Sequence, residues 1–337
     1  MEKLLIKGGA SLKGEISCSG AKNAALPMIA ATILSDEDII LKNLPYLQDI
    51  TTMFELLGSM GANILLNENT DFTISANNLK EKEARYELVK TMRASILVLG
   101  PLVAKYGEAK IALPGGCAIG SRPVNYHLDA LEQLGATITL KNGYIEASAK
   151  KLIGSKIKFD GITVTGTENI MMAACLAEGT TTLTNVAKEP EIIDLAEFLN
   201  KMGAKISGAG SDEIVIEGVE RLYGTDHSIP ADRIEAGTYL VAAAVTKGEI
   251  KINGINPNRL IKVLDKLNEI GAKVETSEDS ISLIMNKDKP KPVDITTAPF
   301  PEFPTDMQAQ FSVINALANG VSNIYETVFE NRFMHVQ

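Results

Sequence analysis

The chain is poor in the residues that build disulfide frameworks and zinc sites. Its 337 residues include three cysteines, Cys18, Cys117 and Cys175, and three histidines, His127, His227 and His335. Three scattered cysteines do not make a disulfide scaffold and are typical of a reducing compartment. Because the sequence holds no Cys-x-x-Cys pair and no histidine cluster, it argues against a zinc site, and we expect no bound metal.

Long apolar runs and excess positive charge are also missing. The longest apolar stretch, 95–104, contains Gly100 and Pro101. It is far shorter than the roughly 20 residues that span a bilayer. The apolar run at Leu4–Ile6 is too short for a signal peptide. We therefore expect a cytoplasmic protein that does not insert into a membrane. The net charge of −9 argues against nucleic acid as a partner.

Three common motifs of nucleotide-binding proteins and hydrolases are absent from the sequence. They are a Gly-x-Gly-x-x-Gly stretch opening a helix, a P-loop and a Gly-x-Ser-x-Gly elbow. With 45% hydrophobic and 22% charged residues, the composition is that of a folded globular protein. The length predicts two domains, so the function has to be sought in less common patterns.

A repeated phrase runs through the chain: the end of a helix, then Gly-Ala, then a strand. Its glycines are Gly61, Gly135, Gly203 and Gly271. They recur about every 70 residues, which indicates a duplicated structural unit. Glycine at this place suits a left-handed helix end. Alternating apolar residues follow, once with an Asn142-Gly143 turn that is typical of a hairpin.

A second phrase, a helix of small apolar residues followed by a glycine turn and a strand, alternates with the first. Its copies start near Lys22, Arg93, Glu168, Glu235 and Asp306. Together the two phrases predict α/β units of strand, helix, strand, helix and hairpin. Because the last copy begins at Asp306 and the sequence ends at Gln337, we expect a truncated protein or a fragment that stops within a unit.

The first candidate site is Ser19–Asn23, just before a helix of small residues. A helix amino terminus presents free N–H groups and the positive end of the helix dipole. Lys22 is unfavourable there unless an anion binds. Arg93, at the start of the next unit's helix, raises the same question. The alternative is that both cations point into solvent at little cost.

The second candidate is the loop 113–123, in which three glycines and two prolines exclude regular structure. Such a loop could move as a lid. Arg122 could lower the pKa of Cys117 and make its thiol reactive, and the alternative is an incidental loop cysteine. Cys18 and Cys175 lie in apolar contexts where a buried, inert thiol is expected.

The third candidate is Asp306, which follows three prolines at the approach to a helix. Asp306 or Thr305 is a simple helix N-cap in one interpretation. In the other, Asp306 is a rigidly held carboxylate that acts as a general base toward a hydroxyl. The later segment Glu326–Phe333 matches no generic mechanism.

Six motifs taken together resemble the UDP-N-acetylglucosamine 1-carboxyvinyltransferases, a family of enolpyruvyl transferases. They lie at 19–27, 91–95, 117–127, 231–235, 304–310 and 329–335, in order and over essentially the whole chain. The resemblance implies an α/β fold, a two-domain inside-out barrel of units of about 70 residues with helices inside and sheets outside. It implies a first domain at 22–230 and an incomplete second domain at 1–21 and 231–337, with the sixth unit missing.

The resemblance also implies the reaction. The family moves the enolpyruvyl group of phosphoenolpyruvate to the 3′-hydroxyl of UDP-N-acetylglucosamine and releases phosphate, the first committed step of peptidoglycan synthesis. Lys22 and Arg122 would hold phosphoenolpyruvate, and Asn23 would orient it. Cys117 would donate a proton to the methylene carbon, and Asp306 would be the base. The positions that line the UDP-sugar site are Arg93, Arg122, Pro123, Val124, Asn125, Tyr126, Thr163, Val164, Thr165, Asp306 and Val328. No cofactor or metal is implied.

Two departures from the family and two alternatives stay open. Gln48 replaces a lysine of some relatives, and a further phosphoenolpyruvate-binding arginine of the family lies beyond His335. The chain would then be a weak enzyme, or a fragment that only binds UDP-N-acetylglucosamine. The other alternative is the related transferase acting on shikimate 3-phosphate, which lacks the Cys117 loop. The sequence leaves the oligomeric state unknown.

Overall fold

The computed structural model describes residues 3–68, 71–113, 124–286 and 289–337. Within these ranges the chain divides into two compact units. The larger unit is Gly20–Pro230, and the smaller unit is Ala231–Gln337 together with the chain up to Ser19. The smaller unit is therefore built from both ends of the described chain.

The described residues form ten α-helices and eighteen strands. The helices are α1 (Lys22–Ala31), α2 (Gln48–Met60), α3 (Tyr86–Val89), α4 (Leu99–Tyr106), α5 (Asn125–Gln133), α6 (Val164–Ala174), α7 (Pro190–Lys201), α8 (Arg233–Val245), α9 (Ile261–Glu269) and α10 (Gln308–Leu317). The strands are β1 (Lys13–Ser17), β2 (Ile39–Lys42), β3 (Asn63–Leu66), β4 (Phe72–Ser75), β5 (Glu83–Ala84), β6 (Glu108–Ala112), β7 (Thr137–Lys141), β8 (Tyr144–Ser148), β9 (Lys156–Lys158), β10 (Thr180–Thr184), β11 (Lys205–Ser207), β12 (Glu213–Glu217), β13 (Asp226–Ser228), β14 (Glu249–Asn253), β15 (Lys273–Thr276), β16 (Ser280–Ile284), β17 (Ile295–Thr296) and β18 (Ile324–Tyr325).

Four four-stranded sheets share one topology. Their strand orders are β13-β2-β4-β3, β5-β6-β8-β7, β9-β10-β12-β11 and β1-β14-β16-β15. In each, the first strand runs parallel to the second, and the last two strands are antiparallel to their neighbours. A fifth pair, β17 and β18, is also parallel. This recurrence confirms the α/β repeat that the two sequence phrases predict.

The glycines of the repeat end their helices in the left-handed region, as predicted. The φ angles are +111° at Gly61, +91° at Gly135, +101° at Gly203 and +99° at Gly271. A residue that has a Cβ rarely adopts such φ angles. Glycine is therefore the residue that ends the helix and turns the chain into the next strand. The Asn142-Gly143 turn joins β7 to β8 as an antiparallel hairpin.

The core of the larger unit is built from helices, with sheets outside them. Helix α1 is buried at every residue from Ala24 to Ala31, and α6 is buried from Gly166 to Ala174. Burial on all sides favours apolar residues all round, which explains the runs of alanine, methionine and isoleucine at 24–31 and 170–174. The strands alternate buried and more exposed residues, as in β12, so each sheet turns one face to the helices.

The smaller unit has a separate core. Helices α8 and α9 pack on the sheet β1-β14-β16-β15, and α10 packs against α8. Phe303 lies edge-on against the buried Phe311 of α10, with ring centroids 5.0 Å apart. Strand β1 pairs with β14 although more than 200 residues separate them in the sequence. In the ranges that the structure describes, no helix combines the length and the apolar character needed to cross a bilayer.

Glycine at two positions of the larger unit gives a test of this packing. A Cβ on Gly218 would overlap the carbonyl oxygen of Ala177, whereas a Cβ on Gly58, within α2, would meet open space. We expect Gly218→Ala to lower the free energy of unfolding by about 2 kcal/mol or more, because backbone would have to move. Gly58→Ala should raise it by about 0.5 kcal/mol through helix propensity. Urea denaturation measures both, and equal effects would contradict the close approach at Gly218.

Candidate active site

Lys22 begins the buried helix α1 and is paired with a carboxylate. Its Nζ lies 2.9 Å from Oδ2 of Asp49, which stands in the first turn of α2. The Lys22 and Asp49 side chains are 39% and 34% exposed, so a ligand can reach the ammonium group. No side chain caps the amino terminus of α1 and its first turn holds no acidic residue. Neighbouring Asn23 is exposed.

Lys22 therefore does not simply point into solvent, as one interpretation had it. A cation and the uncapped N–H groups of α1 lie at the same end of a helix, an arrangement that favours an anionic ligand. Asp49 was not identified from the sequence, because nothing in the α2 pattern distinguishes it from an ordinary residue of a helical first turn.

Arg93 opens a 3-10 helix, Arg93–Val98, that leads directly into α4, and it is half-buried. Its guanidinium lies near the imidazole of His127 on α5. Burial, with the positive charge of Arg93 as the second cause, lowers the pKa of His127 to about 4. His127 is therefore neutral at neutral pH.

His127, on α5, contacts α6 through both of its ring nitrogens. Its Nδ1 lies 2.9 Å from Nδ2 of Asn169, and its Nε2 lies 3.3 Å from Oγ1 of Thr165. His127 and Asn169 are 2% and 0% exposed. No sequence pattern gives either residue a role. The signal that could have found Asn169 is an amide directly before the apolar helical run 170–174.

The predicted UDP-sugar residues at 124–126 and 163–165 lie at the starts of two helices. Val124 is the N-cap of α5, Asn125 is exposed and Tyr126 is half-buried, with its hydroxyl close over Gly161. Thr163 caps α6, because its Oγ1 accepts a hydrogen bond from Gly166 N at 3.2 Å. Val164 and Thr165 follow in the first turn of α6, both half-buried.

The larger unit therefore brings together the segment of Arg93, the segment 124–126 and the segment 163–165. The hydrogen bonds through His127 and Asn169 and the contact of Tyr126 with Gly161 connect them. Cys117, Arg122 and Pro123 lie outside the described residues, so the predictions for them stay predictions.

The two described cysteines are buried, as expected. Burial is the largest cause that raises the pKa of Cys18 to about 12, with Glu235 and Asp232 adding to it. Burial alone raises the pKa of Cys175 to about 12. Within the described residues, no group of three or more histidine, cysteine, aspartate or glutamate side chains is placed to hold a metal ion.

Asp306 lies in the smaller unit, in the 3-10 helix Thr305–Met307 that precedes α10. Its Oδ1 accepts a hydrogen bond from Arg332 Nη2 at 2.6 Å, and the Asp306 side chain is 40% exposed. The helix-capping interpretation of Thr305 and Asp306 is wrong, because the N-cap is Pro304 and neither residue's side chain caps the described helix. Asp306 is instead an accessible carboxylate held by a guanidinium.

Hydrogen bonds of the Glu326 carboxylate join the segment that contains Val328 to the segment that contains Asp306. Its Oε1 accepts hydrogen bonds from Thr297 Oγ1 at 2.9 Å, Val328 N at 2.8 Å and Phe329 N at 3.1 Å. Its Oε2 accepts one from Thr305 Oγ1 at 2.8 Å, next to Asp306. No sequence pattern reveals this role of Glu326, because its partners come from separate parts of the chain.

The chain is similar to known enolpyruvyl transferases along nearly its whole length. The family model of EPSP synthase (3-phosphoshikimate 1-carboxyvinyltransferase) matches residues 6–337. The chain is 55% identical over 336 residues to the UDP-N-acetylglucosamine 1-carboxyvinyltransferase of Hydrogenovibrio crunogenus, covering 100% of this chain and 80% of that relative. It is 57% identical over 337 residues to the protein of that name from Coxiella burnetii, covering 100% and 78%.

Two solved structures show the same fold. The enolpyruvyl transferase NikO from Streptomyces tendae superposes with a TM-score of 0.85 at 24% identity, covering 98% of this chain and 78% of that one. EPSP synthase from Acinetobacter baumannii superposes with a TM-score of 0.70 at 20% identity, covering 94% and 74%. The chain has the α/β fold of the enolpyruvyl transferases, as the motifs predicted.

Thiol reactivity tests the prediction for Cys117. With a pKa of about 12, roughly one in 10⁴ molecules of Cys18 or Cys175 is ionised at pH 8, and the thiolate is the reactive form. We expect an aromatic disulfide reagent to modify one thiol of the folded protein quickly. Cys117→Ser should abolish that fast phase and Cys175→Ser should leave it intact. Two or more thiols reacting at similar rates would contradict the assignment.

The hydrogen bonds of Glu326 predict a difference between two substitutions. Glu326→Leu leaves the donors at Thr297, Thr305, Val328 and Phe329 without their acceptor and should lower the free energy of unfolding by about 2 kcal/mol. Glu326→Gln keeps Oε1 and should lose less than half of that. Urea denaturation compares the two variants, and equal losses would show that the carboxylate contributes through packing alone.

Proposed function

The chain belongs to the EPSP synthase family of enolpyruvyl transferases and, within it, to the UDP-N-acetylglucosamine 1-carboxyvinyltransferases, and on this premise we propose its reaction. It transfers the enolpyruvyl group of phosphoenolpyruvate to the 3′-hydroxyl of UDP-N-acetylglucosamine and releases phosphate. The observation that supports this substrate is identity above one half along the whole chain with relatives named for that reaction. The product is a precursor of peptidoglycan, and both substrates are small molecules of the cytoplasm.

Shikimate 3-phosphate is the less favoured acceptor. The solved EPSP synthase shares the fold at only 20% identity, a level that carries no information about the substrate. The loop with Gly115, Gly116 and Cys117 also argues against that acceptor, because the shikimate 3-phosphate enzymes lack it.

In the larger unit, Lys22 and the amino terminus of α1 would bind the anionic groups of phosphoenolpyruvate. Asp49 holds the ammonium group of Lys22 at the helix start, so the cation is placed before the ligand arrives. Asn23, exposed beside it, would orient the same substrate, with Arg122 as a second cation. Such preplaced charges stabilise an anion without reorganisation at the moment of reaction.

The UDP-sugar would lie along the segment of Arg93, the segment from Arg122 to Tyr126 and the start of α6. These positions offer a guanidinium, an aromatic ring and the N–H and hydroxyl groups of Thr163–Thr165. This set suits a ligand that combines a ring base, a diphosphate and a sugar. For Val328 and Asp306, the role at the UDP-sugar that the family resemblance implies stays a prediction.

Asp306 and Cys117 would move the protons. The Asp306 carboxylate accepts the proton of the 3′-hydroxyl, whose oxygen bonds to C2 of phosphoenolpyruvate while the Cys117 thiol donates a proton to C3. The bond from C2 to the phosphate oxygen then breaks and phosphate leaves. C3 loses a proton, which restores the double bond. Arg332 engages Oδ1 of Asp306 and keeps the carboxylate oriented.

Phosphate release tests the proposal directly. We expect release from phosphoenolpyruvate only when UDP-N-acetylglucosamine is present. Asp306→Asn should lower kcat about 100-fold or more, because proton transfer to a positioned base contributes that much. Asp265→Asn, an exposed aspartate of α9, is the matched control and should change nothing. Release that needs shikimate 3-phosphate, or binding of UDP-N-acetylglucosamine without release, would contradict the proposed reaction.

A further inference from the structure

We propose that His127 and Asn169 are positioning residues of the UDP-N-acetylglucosamine site and act on the ligand through the hydroxyl of Thr165. This inference rests on the proposed function. Neither residue lines the site, because both are buried. Their role follows from a chain of hydrogen bonds that connects three segments assigned to the sugar nucleotide.

The chain of hydrogen bonds starts at the amide of Asn169. Its Oδ1 accepts a hydrogen bond from Gly100 N at 2.6 Å, so the oxygen and the nitrogen of the amide are distinguished. Its Nδ2 then donates to Ile96 O at 3.0 Å and to Nδ1 of His127 at 2.9 Å. A Cβ at residue 100 would overlap the Asn169 amide oxygen, so glycine is what permits this approach. Every hydrogen-bonding position of the amide nitrogen has a partner.

The orientation of Asn169 decides which nitrogen of His127 bears the proton. Since Nδ1 accepts from Asn169, the proton of the neutral ring is on Nε2 and points to Thr165 Oγ1 at 3.3 Å. The lowered pKa of His127, about 4, keeps the ring neutral at neutral pH. A hydroxyl that accepts from the ring directs its own proton elsewhere. Thr165 is therefore prepared as a donor to an acceptor atom of the ligand.

The same bonds hold three segments in register. Ile96 belongs to the 3-10 helix that Arg93 opens, His127 follows Tyr126 on α5, and Thr165 is in the first turn of α6. A single buried network therefore sets the spacing of the groups proposed to bind the sugar nucleotide. Buried networks in which every member is satisfied restrict a site to one geometry.

The test uses four variants of the full chain. His127→Phe removes both ring hydrogen bonds, Thr165→Val removes the hydroxyl, and a double variant combines them. His227→Phe is the matched control. His227 is also a buried histidine of the larger unit, with a pKa lowered to about 4, but its ring contacts Lys201 and Phe198 instead. Calorimetry gives the Kd for UDP-N-acetylglucosamine, phosphate release gives kcat and KM, and thermal melting reports folding.

We expect His127→Phe and Thr165→Val each to raise Kd and KM for UDP-N-acetylglucosamine about tenfold, the value of one hydrogen bond. The value of kcat should change less than about twofold, because the reacting atoms keep their partners. The double variant should bind no more weakly than either single variant, because both remove the same hydrogen bond. His227→Phe should lose comparable thermal stability and keep its affinity.

Three outcomes would overturn the inference. Equal affinities of His127→Phe and His227→Phe would show that His127 has no part in binding. Losses that multiply in the double variant would show that His127 does not act through Thr165. If His127→Phe does not fold, unchanged affinity of Thr165→Val overturns the inference by itself. Failure of the unchanged protein to bind UDP-N-acetylglucosamine is distinct, since it overturns the proposed function and this inference with it.

Discussion

The burial of helices on all sides is the constraint on which the larger unit depends. Helices α1 and α6 have no solvent-facing side over most of their length. Apolar residues therefore fill α1 from Ala24 and α6 from Ile170, and the polar residues of both helices lie toward their amino termini. Lys22 and Thr163 stand at these amino termini. The starts of the repeated helices are therefore both the boundaries of the core and the places where a polar ligand can meet N–H groups.

Polar groups inside such a core need a partner, and the few that are present are informative. Asn169 and His127 are hydrogen-bonded to each other. Burial, followed by the charges of Glu191 and Glu189, raises the pKa of Glu168 well above its usual value, which favours the protonated carboxyl group. A buried amide or imidazole costs free energy unless its hydrogen bonds are made. Asn169 and His127 make those hydrogen bonds, and the same bonds fix the position of Thr165 at the start of α6.

In the smaller unit, a carboxylate makes the hydrogen bonds that join separate segments. Glu326 collects donors from Thr297, Thr305 and the backbone of the following loop, and so connects the segment of Val328 with that of Asp306. Arg332 then fixes Asp306 itself. In each unit, a residue with no predicted contact to a substrate makes the hydrogen bonds that position residues of the predicted site. Substitutions at these supporting positions therefore affect geometry before they affect chemistry.

Local patterns in the sequence were sufficient for the repeat, the left-handed glycines such as Gly61, and the helix starts at Lys22 and Arg93. These features depend on residues close together in the chain, whose periodicity and turn chemistry are visible in one sequence. The tertiary structure alone decided that Asp49 pairs with Lys22, that Asn169 reaches His127, and that β1 joins β14. Such contacts join distant segments, and no local pattern specifies them, because they depend on which elements pack together.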